Sequence, residues 1–175
     1  MINTTSSVLF RIVLWIVLIV GEIFAGVYID MLYFKDIFLN PFWHIISFVT
    51  GFVLLKLAFK SASRGGKELA KSGRSKNLPR LETDKLVTSG IYQKMRHPML
   101  LGLTLLPLAI AFLTGLVSAI VLIAPLEMIF IIVMVLTLEE RECRVKFGNE
   151  YIEYASKVPP VCLKTECLKE LFGFK

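Results

Sequence analysis

Apolar residues fall into long unbroken blocks with polar joints between them, a pattern that predicts membrane-crossing helices and not the short alternations of strands. Val8 to Ile29 is apolar except for Arg11 and Glu22. At about 1.5 Å of rise per residue this block crosses a hydrocarbon core of roughly 30 Å, which predicts a first span over about 8–29. It is too long for a secretory signal peptide, Glu22 sits deep within it, and no clean small-x-small cleavage site follows. Asn40-Pro41 then marks a turn. Phe42 to Phe59 forms a second span (42–59) whose opening Trp43 and His44 suit a membrane interface.

From Met99 to Leu138 the only charge is Glu127. Such a stretch makes roughly 60 Å of helix, about two bilayer thicknesses, so it must double back. Thr114-Gly115 is the natural place, because glycine permits the turn backbone. This predicts spans 99–113 and 116–138 packed as a tight hairpin. Pro107 and Pro125 fall inside these helices, where each removes a hydrogen bond and favours a kink. The expected fold is all-α: one domain over 1–175, a polytopic integral membrane protein with four transmembrane helices, a helical hairpin and a cytoplasmic C-terminal helix.

Composition and charge sharpen this reading. The chain is 55% hydrophobic and only 19% charged, with mean hydropathy +0.69, which argues against a water-soluble enzyme, a disordered tail or a secreted scaffold. Basic residues cluster between Lys56 and Arg96, whereas the joint from Asp30 to Asn40 carries one Lys and two Asp. The positive-inside bias therefore puts the linker 60–97, the segment 139–175 and both termini in the cytoplasm. Within the linker, Gly65-Gly66, Lys67, Lys71, Gly73, Arg74, Lys76 and Arg80 read as a topology signal against anionic headgroups, worth about 1 kcal/mol per basic residue. Nucleic acid is not an expected partner, since the cations lack interleaved aromatics. Cys143, Cys162 and Cys167 form no Cys-x-x-Cys pair and are expected to be reduced thiols, with no metal site.

Two polar clusters carry the candidate chemistry. Gly90, Tyr92, Arg96 and His97 directly precede the third span, which Pro98 starts at its first position. Glu139 and Glu140 directly follow the fourth. Either cluster alone reads as interfacial anchors or a solvated helix face. The hairpin returns both to the same membrane surface, so His97 is expected near Glu139, and ionisable groups converging beside an apolar pocket mark a functional-site candidate. Glu22 and Glu127, inside the membrane, match no such cluster and read as helix-packing carboxyls.

The order and spacing of Gly90, Tyr92, Arg96, His97, Pro98, Gly102, Glu139, Glu140, Phe147, Gly148, Tyr151 and Tyr154 resemble the isoprenylcysteine carboxyl methyltransferase family and its relatives among membrane phospholipid methyltransferases, over about residues 77 to 160. The resemblance implies S-adenosyl-L-methionine as cofactor, held at the cytoplasmic ends of the hairpin and the C-terminal helix. It implies a cofactor site of Lys85, Leu86, Val87, Tyr92, His97, Pro98, Met99, Leu100, Gly102, Glu139 and Glu140, with Arg96, His97 and Glu139 as the catalytic set. Glu139 could take the cofactor ammonium. Arg96, His97 or the amides opening the third span could take its carboxylate. Methyl transfer is an in-line displacement that needs positioning and desolvation more than a strong base. The implied activity is methyl transfer to a lipophilic or lipid-modified acceptor, foremost the carboxylate of a prenylcysteine-like substrate.

Two positions depart from the family pattern. Leu100 stands where the family has Tyr, and Val135 where the eukaryotic carboxyl methyltransferases have Arg, which weakens the prenylcysteine assignment. A phospholipid or other lipid N-methyltransferase is the alternative within enzymes. Of another class are a haem-binding membrane protein using His44 and His97, and a non-catalytic membrane adaptor; the haem reading is disfavoured because the two histidines are expected at opposite membrane faces.

Overall fold

The computed structural model describes residues 4–74 and 83–174, with side chains from residue 12 onward. Lys76, Arg80 and the side chain of Arg11 lie outside the described residues. Among the described residues the chain is helical, with no strand: α1 (Thr4–Tyr33), α2 (Lys35–Phe38), α3 (Pro41–Ser72), a 3-10 turn (Gly90–Gln93), α4 (Pro98–Thr114), α5 (Ala124–Met134), α6 (Glu140–Lys157) and α7 (Thr165–Phe172). Two π-turns, Ala119–Ile123 and Val135–Glu139, flank α5, so that one helix runs from Ala119 to Lys157. Ile12–Tyr33, Pro41–Ser72 and Ala119–Lys157 are long and apolar enough to cross a membrane, and the apolar helix Pro98–Thr114 is shorter at 17 residues.

The second helix differs from expectation. It continues past Phe59 to Ser72, so the first part of the expected linker is helical. Gly65-Gly66 does not stop it, because a glycine inside a helix costs only about 1 kcal/mol and the following Lys67-Glu68-Leu69-Ala70-Lys71 are strong helix formers.

The chain divides into two compact units, Met1–Leu55 with Leu106–Met128, and Lys56–Leu105 with Ile129–Lys175. In the first, α4 ends at Thr114 and Gly115 turns the chain with φ +72, where the glycine was expected to do so. Side chains from the neighbouring helices hold this turn. Asp30, fully buried, accepts from the amides of Val117 (2.6 Å) and Ser118 (2.8 Å) and so caps the start of the next helix. Trp43 Nε1 donates to the Gly115 carbonyl (2.7 Å) and Ser47 to that of Phe112 (2.5 Å). His44 packs on Gly115 and donates through Nε2 to Phe38 O (2.6 Å). Pro125 stands two residues past the π-turn Ala119–Ile123, which fits a residue that cannot donate the next helical hydrogen bond. Glu22 and Glu127 are buried in this unit, and both Glu22 oxygens and one of Glu127 lack a hydrogen-bond partner.

In the second unit α3 and α4 pack through small residues. Ala58, Ser61, Ala62 and Gly65 recur on one face of α3 at helical spacing, and Gly102 of α4 lies so close that an added Cβ would stand 2.6 Å from Ala58 O. Ser61 donates to Pro98 O at 2.8 Å. A core of Val87, Ile91, Tyr92, Met95, Cys162, Cys167, Leu171 and Phe172 closes the other side. Here the cysteine expectation fails. Cys162 and Cys167 are joined as a disulfide with Cα atoms 6.0 Å apart, while Cys143 is free. Four intervening residues, enough to bend the chain into the first turn of α7, are what bring the two thiols into reach.

Candidate functional site

All parts of the site belong to the second unit. Between α3 and α4 the loop from Thr83 folds back over α3. Gly90 opens the 3-10 turn with φ +58, and Tyr92 points inward, its hydroxyl 3.5 Å from Gly65 O. Pro98 then begins α4 at the first helical position, as its fixed φ and missing donor favour. From the other direction, the apolar run ends at Leu138 and α6 starts with Glu140-Arg141-Glu142, placing these charges just past the apolar stretch.

Gly148 reshapes α6. Its φ 56, ψ −132 is non-helical and breaks the helix into two arms, so that one guanidinium reaches both. Arg96 donates from Nε to Glu140 Oε1 at 2.9 Å and pairs with the same oxygen through Nη2 at 2.7 Å. Its Nη1 donates to Ala155 O (2.8 Å) and Val158 O (2.6 Å), near the far end of α6. His97 Nε2 lies 2.8 Å from Glu140 Oε1 and Nδ1 lies 3.8 Å from Glu139 Oε2. The backbone joins in, with Arg96 N donating to Pro159 O and His97 N to Pro160 O, both at 3.0 Å. Tyr154 donates its buried hydroxyl to Tyr92 O at 2.5 Å.

These contacts set the electrostatics. Burial by itself pushes the Glu140 carboxyl up, but hydrogen bonds from His97 and Arg96 and the Arg96 charge outweigh it and hold the group below the usual carboxylate range. Burial, then the charges of Glu139, Glu140 and Glu142, raises the Cys143 thiol to about 11. At neutral pH Cys143 is thus an apolar wall and not a nucleophile. Tyr92 is likewise raised, by burial first and then by Tyr154, Glu139 and Glu68.

Around this frame lies a cavity of about 200 Å³, room for several water molecules at about 30 Å³ each and therefore more than a packing defect. Lys85, Leu86, Val87, Tyr92, His97, Pro98, Met99, Leu100 and Glu139 all line it, as does Arg96. Sequence reasoning placed two further residues there that stand elsewhere. Gly102 faces the backbone of α3, where only a glycine fits, and Glu140 is engaged by Arg96 and His97 behind the wall. Val135, Phe147, Tyr151 and Tyr154 complete the lining, together with Leu69, Thr83, Leu103 and Cys143, which were not foreseen. Leu103 could have been found one helical turn beyond Met99. Leu69 and Thr83 carried no signal, since the continuation of α3 was itself unexpected. The Tyr151 hydroxyl is buried beside Glu140 and Cys143. The two histidines of the haem reading have other partners, Phe38 O for His44 and Glu140 for His97.

The second unit thus gathers a carboxylate, a guanidinium and an imidazole beside a tyrosine-walled cavity. The model of the phospholipid methyltransferase family matches residues 44–150, and the chain belongs to that family. It is an integral membrane protein by its apolar helices and its family. It is also 31% identical over 133 residues to protein-S-isoprenylcysteine O-methyltransferase B of Arabidopsis thaliana, an alignment covering 69% of this chain and 60% of that protein. The chain thus spans less than two thirds of that relative's length. No solved structure matches the chain.

Proposed function

We propose that the protein transfers a methyl group from S-adenosylmethionine to a lipophilic acceptor, with the carboxylate of a prenylcysteine-like molecule as the first reading. The observation that carries this is the cavity wall itself: the Glu139 carboxylate and the rings of Tyr92, Phe147, Tyr151 and Tyr154 surround one space in a member of a methyltransferase family. The residues suit the cofactor. An acidic side chain matches its ammonium, and the aromatic faces of the wall favour its sulfonium. When bound, the cofactor supplies an electrophilic methyl group that passes to the acceptor oxygen as the thioether leaves.

In this reading Glu139 holds the ammonium, and Lys85 with the amides that open α4 receives the carboxylate. Arg96 has a different task from the one first assigned. Its donors are taken by Glu140, Ala155 and Val158, so it braces the wall and leaves anion binding to Lys85. His97, between Glu140 and Glu139, orients the latter. Leu100, Leu103 and Val135 give the acceptor chain an apolar approach, with its carboxylate desolvated at the reacting carbon. Both termini and the cavity lie on the cytoplasmic side, α1, α3, α4 and the α5 helix serve as four spans, and the whole chain works as one domain; the excess of Lys and Arg between α3 and α4 supports that orientation.

A phospholipid N-methyltransferase is the second reading, favoured by the family match and by Val135, which gives the cavity an apolar side chain where a carboxylate-handling arginine would stand. Methyl transfer from radiolabelled cofactor into a panel of prenylcysteines and phospholipids tests both. Label in the prenylcysteine ester supports the first reading, label in lipid extracts the second, and label in neither contradicts the proposed activity.

A further inference from the structure

The cofactor loop is held against α3 at a position that belongs to neither polar cluster. Glu68, on the part of α3 that extends past the expected span, accepts a hydrogen bond from Ser89 Oγ at 2.8 Å. Its carboxyl group lies so close to Gly90 that an added Cβ would stand 2.8 Å from Glu68 Cδ and 3.0 to 3.1 Å from its two oxygens. Gly90 thus has two reasons to be glycine, its φ of +58 and the carboxylate pressed on it. About one helical turn before Glu68, Gly65 O receives the Tyr92 hydroxyl, and one residue after Glu68, Leu69 lines the cavity. A single stretch of α3 therefore meets the loop at Ser89, Gly90 and Tyr92, the last of which forms part of the cavity wall and accepts Tyr154 through its carbonyl.

We propose that Glu68 is a positioning residue for the cofactor site: by holding Ser89 and Gly90 it sets where Tyr92 and the Lys85–Val87 wall stand. It touches neither cofactor nor acceptor, and the inference rests on the cofactor reading above only for its effect on binding. Because Ser89 donates to a carboxylate oxygen, an amide oxygen in the same place serves almost as well, whereas alanine leaves the loop unheld.

Two measurements test this on the full-length protein in detergent. Hydrogen–deuterium exchange without ligand reads the loop directly: Glu68→Ala and Ser89→Ala should speed exchange across 85–93, and Glu68→Gln should not. Calorimetric titration with S-adenosylhomocysteine reads the consequence. Glu68→Ala and Ser89→Ala should each weaken binding about tenfold, as expected for loss of a hydrogen bond to a charged group. The double variant should be no weaker than either single one, and Glu68→Gln should stay within about twofold of the original. Unchanged exchange over 85–93 in Glu68→Ala overturns the proposal, as does faster exchange with unchanged affinity. If the unsubstituted protein binds no S-adenosylhomocysteine, the cofactor reading fails while the exchange experiment still judges the latch.

Discussion

Arg96 and Glu140 are joined through two guanidinium nitrogens on one carboxylate oxygen, at 2.9 and 2.7 Å, with side chains only 11% and 7% exposed. A pair this buried is favourable only when its remaining hydrogen-bonding capacity is met, and here His97, Ala155 O and Val158 O meet it. The pair ties the loop before α4 to both arms of α6 and so supports the wall that Glu139 shares. Removing one partner strands the other. Glu140→Ala is expected to lose about 3–5 kcal/mol of stability, measured as thermal or denaturant unfolding in detergent, and to lose cofactor binding with it. A stability change under 1 kcal/mol would contradict this role.

The same carboxyl gives a pH dependence. Because Glu140 titrates lower in the folded protein than in the unfolded chain, its contribution is present above the unfolded value of about 4.3 and is lost as pH falls through the lower folded value. Melting temperature should therefore decline on acidification below about pH 4.3, with a shallower decline in Glu140→Gln. Parallel profiles for the two proteins would count against it.

Gly148 bends α6 through a backbone region that side chains avoid, yet nothing lies within 4 Å of where its Cβ would be. Any penalty for Gly148→Ala is then purely one of backbone strain, about 1–3 kcal/mol. Gly66 supplies the opposite case. It also has open space around it but sits inside α3, so Gly66→Ala should stabilise by about 0.5–1 kcal/mol. Unfolding measurements on the two variants should move in opposite directions, and a shared sign would refute the conformational argument.

Glu22 is 1% exposed with neither oxygen hydrogen-bonded, and the proposed reaction does not use it. Replacing a buried, unsatisfied carboxyl with a side chain of similar volume removes a desolvation cost. Glu22→Leu should therefore leave methyl transfer intact and raise the melting temperature. Loss of activity with an unchanged fold would show that the first unit has a functional part.

Much of this was legible because length in an apolar block is a strong constraint. The unbroken stretch from Met99 to Leu138 has to turn, Gly115 is where it turns, and the polar residues beyond its two ends are then brought together as Arg96, His97, Glu139 and Glu140. Which glutamate meets Arg96 was not legible. The π-turn Val135–Glu139 alters the helical phase just before the pair, so a regular helix does not give their directions. Gly102 sits in a motif run beside pocket residues, and only the close approach of α3 reveals it as a packing contact. The extension of α3 was masked by Gly65-Gly66, which reads as a break although the helix formers after it carry the helix on to Ser72, and the Cys162–Cys167 bridge depends on a local turn that has no periodic signal.

Equilibrium binding of radiolabelled S-adenosylmethionine to the purified protein and to Glu139→Gln tests the central claim most directly. The account predicts saturable binding by the unsubstituted protein, weakened about ten- to hundredfold in the variant by loss of a charge-assisted contact, with an unchanged melting temperature. No saturable binding, or equal binding by both proteins, would contradict it.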